Sequence, residues 1–115
     1  MKRGTVILTP FPFTDLSGNK VRPAIIVSAD DRQGNDVIII FVSSVFREHA
    51  FISTDIPIKT DDYYFASTGL KTNSLIKVDK VATVDKKIIL GEIGVLERQT
   101  MELIDQKLKI VFGVH

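Results

Sequence analysis

Arg22 is the residue of this sequence whose type and position most clearly suggest chemistry. It stands near the start of the apolar run 24–27, directly after a loop that a first apolar run, 5–8, precedes. Two strands joined by that loop would keep Arg22 close to it. A planar guanidinium in such a place can bind a phosphate through its fork of donors. An arginine that is only solvated at a strand end would give the same sequence pattern. The residues alone therefore leave both interpretations open.

The loop between these two runs is polar and rich in turn-forming residues. In the phosphate-binding interpretation, its side chains would lie over the phosphates; in the alternative, the loop is an ordinary turn. The candidate binding residues of the loop are Thr14, Asp15, Ser17, Asn19 and Lys20.

Two hydroxyl residues, Ser43 and Ser44, end the apolar run 37–42. A serine at a strand end usually satisfies a local backbone group, and neither serine stands in a Gly-x-Ser-x-Gly elbow. His49 follows closely and is either a general base or an exposed loop histidine. A Ser-His-Asp hydrolase is therefore poorly supported.

Composition excludes several classes of protein. The 115 residues carry a net charge of +1, which is not the strongly basic footprint of a duplex-gripping protein. There is no Cys, and the two histidines, His49 and His115, form no metal-binding spacing, so we expect no metal and no cofactor. We see no apolar run long enough for a signal peptide or membrane span, and we expect a cytoplasmic protein.

Local charge is more informative than net charge. Four cations, Lys2, Arg3, Lys20 and Arg22, fall on the two opening strands, where Asp15 is the one acid. Lys77 and Lys80 lie in a later strand. The low net charge suits a protein that touches few phosphates, or one that binds no nucleic acid.

The elements that must position these residues are short strands followed by one helix. The run 37–42 predicts a strand buried on both faces, or on one face and in an interface. Pro57 places the strand 54–58 at an edge or bulge. We predict a loop over 59–70, strands over 74–84 and 91–95, and a helical turn near 86–90. Apolar residues then recur at helical spacing up to Gly113, which ends the helix. This order predicts one mainly β domain over 1–115, a small SH3-like barrel with a C-terminal helix.

Three segments together resemble the MazF/PemK family of toxins: GTVIL at 4–8, PFPFTD at 10–15 and KVRPAIIV at 20–27. The resemblance continues more weakly along almost the whole chain and implies the same barrel. It also implies a metal-independent endoribonuclease that cuts single-stranded RNA, the toxin of a type II toxin–antitoxin pair. It assigns catalytic roles to Arg22 and Ser43. Many members of the family have threonine at the position of Ser43, and Ser44 is an alternative source of the hydroxyl.

One arginine and one hydroxyl can be enough for RNA cleavage, because the RNA supplies its own nucleophile, the 2′-hydroxyl. The protein has to align that oxygen with the phosphorus and stabilise charge on the phosphoryl oxygens. Since arginine stays protonated, we expect Arg22 to clamp the phosphate rather than remove a proton.

Two other functions are consistent with a small barrel. One is a binding module without catalysis. The other is a topoisomerase poison of the CcdB kind, which shares the fold. Those proteins need a Trp-Gly-Ile tail, whereas this chain has no Trp and ends in FGVH.

The length and apolarity of the run 37–42, together with Leu103 and Ile110 off the main apolar stripe of the helix, predict surface buried between chains. The resemblance implies a homodimer with the RNA lying in its groove, and an antitoxin segment that blocks this groove. A monomer whose helix covers the open end of the barrel is the alternative.

Overall fold

The computed structural model describes residues 1–11 and 20–115. Within these residues it has six strands, two α-helices and two 3₁₀ turns. The strands are β1 (Thr5–Pro10), β2 (Val21–Ile26), β3 (Asp36–Ser43), β4 (Asp55–Ile58), β5 (Ser74–Asp85) and β6 (Gly91–Val95). The helices are α1 (Phe65–Thr68) and α2 (Arg98–Phe112), and the 3₁₀ turns are Glu48–Ala50 and Lys86–Ile88.

The strands form one antiparallel sheet in the order β4-β5-β3-β2-β1-β6. The sheet curls into a half-barrel. A register shift between Ile40 and Phe41 interrupts the pairing of β3 with the long strand β5. Such shifts bend a strand and increase its twist, which suits a curled sheet.

Alternation along each strand gives the sheet two apolar faces. The inner face includes Val6, Ile25 and Ile40, and α2 packs on it through Ile104. The outer face carries Ile7, Ala24, Ile26, Ile39 and Phe41. Strand β3 contributes buried residues to both faces, as the run 37–42 predicted.

The predicted order of elements is confirmed. Strand β4, which contains Pro57, lies at an edge of the sheet, where the missing backbone N–H costs no ladder hydrogen bond. The helical turn at Lys86–Ile88 and the strand at Gly91–Val95 are present. Gly113 caps α2 in the left-handed conformation, with φ of 67°.

The prediction of a loop throughout 59–70 is wrong for part of that stretch, because α1 lies within it. Gly69 ends α1 at φ of 73°, and a Cβ atom there would lie 2.0 Å from the carbonyl oxygen of Ile93. A Cβ on Gly94 would lie 2.3 Å from the carbonyl carbon of Thr68. The two glycines therefore let the end of α1 dock directly on β6, a contact that local propensity does not reveal.

No helix in the described part of the chain is long and apolar enough to cross a bilayer.

Candidate functional site

Arg22 lies on β2, opposite Thr9 of β1 in the antiparallel register. Its side chain is half-buried on the outer face of the sheet, the face that also carries Ala24. The guanidinium carbon is 5.8 Å from the centroid of the Phe11 ring. That ring meets Phe41 edge-on, with centroids 4.9 Å apart and an interplanar angle of 90°. The Phe11 ring, which packs against Phe41, thus presents its face to the guanidinium.

A cavity of about 310 Å³ opens beside this arginine. Phe11 and Phe41 form an aromatic part of its lining, and Ser43 contributes a hydroxyl. Four cationic side chains also line it: Arg22, Arg47, Lys77 and Lys80. We call it the cationic cavity. Strands β2, β3 and β5 and the segment after β3 all contribute to it, so it exists only in the folded chain.

Ser43 is the last residue of β3 and is half-buried. Its Oγ accepts a hydrogen bond of 3.1 Å from the backbone N–H of Val45, which fixes the side chain at the strand end. Because the hydroxyl oxygen is used as an acceptor, its own hydrogen remains available to donate. Ser43 therefore satisfies a local backbone group, as expected of a serine at a strand end, and also presents a hydrogen-bond donor to the cationic cavity.

Ser44 lies at a different cavity, because adjacent residues at the end of a strand point to opposite faces. That second cavity measures about 280 Å³ and is lined by apolar residues that include Leu8, Pro23 and Val42. Arg22 lines both cavities. Val42 also lines both, so the two concave surfaces adjoin along β2 and β3, with one serine at each.

Lys77 is held by a buried carboxylate. Its Nζ lies 2.8 Å from Oδ1 of Asp55, whose side chain is 0% exposed, while the lysine side chain is 23% exposed. The contact between Nζ and Oδ1 is as short as a hydrogen bond but lacks hydrogen-bond geometry, so it is an ion pair. The other carboxylate oxygen accepts a hydrogen bond of 3.0 Å from the N–H of Ile52. The buried charge of Asp55 is therefore compensated from two sides.

The other three cations of this cavity, Arg22, Arg47 and Lys80, have no carboxylate partner among residues 1–11 and 20–115. A concave surface with excess charge of one sign concentrates the field that attracts an oppositely charged ligand. The cationic cavity is therefore suited to a polyanion with accessible phosphates.

The sequence matches the model of a family described as the PemK-like, MazF-like toxins of type II toxin–antitoxin systems over residues 2–112. The chain belongs to this family. None of the curated proteins compared with this MazF-like toxin matches it significantly.

Solved structures of toxins have the same fold. An endoribonuclease in complex with its cognate antitoxin, from a mycobacterial species, superposes with a TM-score of 0.75 at 23% identity, covering 100% of this chain and 97% of that one. The toxin MazF-mt6 of Mycobacterium tuberculosis gives a TM-score of 0.74 at 16% identity, over 96% of this chain and 98% of that one. A MazE–MazF structure from Deinococcus radiodurans gives 0.74 at 15% identity, over 100% and 98%. The predicted family and the barrel fold are confirmed.

Four of the loop residues predicted to bind substrate, Thr14, Asp15, Ser17 and Asn19, lie outside the described residues of this MazF-like toxin. Lys20 is exposed at the end of that loop and lines neither cavity. Its carbonyl oxygen accepts a hydrogen bond of 3.0 Å from the N–H of Phe11, which closes the strand pair just beyond Arg22.

Arg3, which the sequence places with Arg22 on the two opening strands, does not line the cationic cavity. Arg3 precedes the opposite end of β1, where its guanidinium is paired with Asp105 of α2 and donates a hydrogen bond of 2.9 Å to the carbonyl of Val27. It ties the helix to the sheet. The sequence could not show this because Asp105 is distant along the chain.

Arg47 is the cation of the cavity that sequence reasoning missed. It is exposed and precedes the 3₁₀ turn Glu48–Ala50, which follows β3. His49 of that turn is exposed and lines neither cavity. No group of three or more potential metal ligands occurs among the residues that the structure describes.

Proposed function

We propose that this MazF-like toxin is a metal-independent endoribonuclease that cuts single-stranded RNA at short sequences. The observation that carries the proposal is the placement of Arg22, Ser43 and three further cations in one cavity. The endoribonuclease named among the solved structures of the same fold agrees with it.

In this proposal Arg22 binds the non-bridging oxygens of the scissile phosphate. Its fork of donors matches two oxygens at once, and its charge offsets the negative charge that grows on them in the transition state. The packing against Phe11 limits the freedom of the side chain, so less entropy is lost when the phosphate binds.

Ser43 donates its hydroxyl hydrogen to a phosphoryl oxygen in the same state. The reaction then needs no protein nucleophile, because the 2′-oxygen of the RNA attacks the phosphorus. The new bond joins the 2′-oxygen to phosphorus while the bond from phosphorus to the 5′-oxygen breaks. The 2′-hydroxyl gives its proton to water, and the leaving 5′-oxygen takes a proton from water. The products are a 2′,3′-cyclic phosphate and a 5′-hydroxyl.

Lys77, Lys80 and Arg47 hold neighbouring phosphates of the strand. Each added cation increases affinity and makes it more salt-dependent. The small number of such contacts agrees with the net charge of +1, which is too low for extended duplex binding.

The proposal extends to the partners. Membership in a toxin–antitoxin family supports a cognate antitoxin that blocks the cavity, and an apolar outer surface on α2 supports a homodimer. An RNA-cutting toxin acts where RNA is translated, so we place it in the cytoplasm.

The test uses purified protein and a long single-stranded RNA in excess EDTA. We expect cleavage, with cut positions mapped by primer extension and products that carry a 2′,3′-cyclic phosphate. An RNA with 2′-deoxyribose at a mapped cut position should resist at that position and be cut elsewhere. Loss of cleavage on chelation, restored by a divalent metal, would contradict the mechanism, and RNA binding without any cleavage would favour a non-catalytic module.

A further inference from the structure

The second cavity, of about 280 Å³, has no role in the reaction proposed above. Its walls are apolar and come from strands and the segment after α1, namely Leu8, Pro23, Val42, Leu70 and Ile93. Arg22 and Val42 line both this cavity and the cationic cavity, so the two cavities adjoin. We call it the apolar cavity.

The rim of the apolar cavity is polar. Ser44, Lys71 and Thr72 line it, and all three are exposed. Within residues 1–11 and 20–115 their side chains make no hydrogen bond and no ion pair. Ser74 differs, because its hydroxyl donates to the carbonyl of Thr72 at 2.8 Å. Three polar groups therefore stand at the edge of an apolar recess with their hydrogen-bonding capacity unused.

The wall that carries Lys71 and Thr72 is held in place on both sides. Before it, the N–H of Leu70 donates to Oγ1 of Thr68 at 3.1 Å, and Gly69 is pressed against β6. After it, Oδ1 of Asn73 accepts a hydrogen bond of 2.8 Å from the N–H of Thr60. The cavity is thus largely formed before any ligand arrives, which reduces the ordering cost of binding.

We propose that the apolar cavity takes the base of a nucleotide that directly adjoins the scissile phosphate, and that Lys71 and Thr72 select this base. The inference rests on the proposed function, because it requires that phosphate to lie on Arg22. When the scissile phosphate lies where the two cavities adjoin, one flanking nucleotide lies towards the cationic cavity and the other towards the apolar cavity. The strand then continues along the cations on one side, and the flat, apolar face of a base fits the walls on the other.

Proteins that read single-stranded RNA splay out unpaired bases, pack their faces and bind their edges through hydrogen bonds. Lys71 has donors only, so the edge that it meets must present acceptors. Lysine reads guanine through its keto oxygen and ring nitrogen in nucleic-acid complexes. We therefore expect the selected base to carry a keto oxygen where adenine and cytosine carry an amino group, which means O6 of guanine or O4 of uracil.

The experiment uses the wild-type protein and oligoribonucleotides built around a mapped cut site. The substrates differ only in the bases on either side of the cut, including an abasic nucleotide at each position. At one of the two positions we expect guanine or uracil to be cut about tenfold faster than the other bases. The abasic substrate at that position should be cut at least as slowly as the disfavoured bases.

Lys71→Ala and Thr72→Val should reduce this ratio towards one. Lys86→Ala removes an exposed lysine that lines neither cavity and serves as the matched control, which should keep the full ratio. An unchanged ratio in both Lys71→Ala and Thr72→Val, or equal cleavage of the abasic substrate, would overturn the inference while leaving the proposed function intact.

A second measurement distinguishes a failure of the base-binding inference from a failure of the proposed function. If no RNA is cut, the proposed function fails, and equilibrium binding of 2′-deoxy-blocked oligonucleotides tests the apolar cavity alone. Base-dependent affinity that Lys71→Ala abolishes would still support a base-binding cavity. Affinity that is independent of every base, in a protein that also does not cut, would overturn it.

Discussion

The guanidinium carbon of Arg22 lies over the ring of Phe11, 5.8 Å from its centroid, and Arg22 lines both the cationic and the apolar cavity. Phe11 directly follows β1, and Arg22 is the second residue of β2. The pair therefore links the end of β1 to the start of β2.

Arg22→Ala should lower the cleavage rate by a hundredfold or more, on the order expected for one lost charge-stabilising contact. The fold should survive, because the side chain is half-buried and makes no ion pair among the described residues. Arg22→Lys should recover little activity, since a point charge lacks the planar fork. Single-turnover rates and circular dichroism of each variant measure this, and a folded Arg22→Ala protein with wild-type rates would refute the assignment.

Ser43→Ala should slow cleavage more than Ser44→Ala, and Ser43→Thr should be tolerated because it keeps the hydroxyl. The two serines line different cavities, which makes Ser44→Ala a natural control. The ratio of their cleavage rates on one RNA decides the matter. A larger loss at Ser44 would mean that the reacting phosphate lies nearer the apolar cavity.

Lys77→Ala should destabilise the protein more than Asp55→Ala. The first change leaves a carboxylate that is 0% exposed without its ammonium, whereas the second leaves an ammonium on a side chain that is 23% exposed and reaches water. Breaking a buried pair in this way costs about 3 kcal/mol. Urea unfolding of both variants and the double variant measures it. The double variant should be more stable than Lys77→Ala alone, and the opposite order would show that the pair contributes little.

The protein should be a homodimer at micromolar concentration. Three apolar residues of α2 are exposed, Leu103 at 38%, Ile110 at 57% and Phe112 at 62%, and such surface is usually covered in an assembly. Sedimentation equilibrium should therefore give twice the chain mass of 12.8 kDa, and Ile110→Glu should shift the equilibrium to monomer. A mass near 12.8 kDa at every concentration would remove the dimer.

Local pattern was sufficient for most of the strands. The uniform apolarity of 37–42 predicted the doubly buried β3, and Pro57 predicted an edge strand because proline cannot donate a ladder hydrogen bond. Helical spacing and Gly113 predicted α2 and its end. In each case the physical cause acts between residues that are close along the chain. It can therefore be recognised from a short stretch of sequence.

The failures involve partners far apart along the chain. Helix α1 is one turn long and has little stability alone; its docking against β6 requires Gly69 and Gly94 to meet. Arg3 pairs with Asp105, which no local rule connects to it. The contribution of Arg47 to the cavity depends on where the chain turns after β3.

For the candidate site, the sequence by itself determined the chemical groups: a guanidinium after a loop, adjacent hydroxyls at the end of a buried strand, and lysines in a later strand. Only the tertiary structure decided which of these groups share a cavity, because that depends on the register of β2, β3 and β5 and on the curl of the sheet. Side chains separated along the chain meet only when the backbone hydrogen bonds between those strands fix their relative positions.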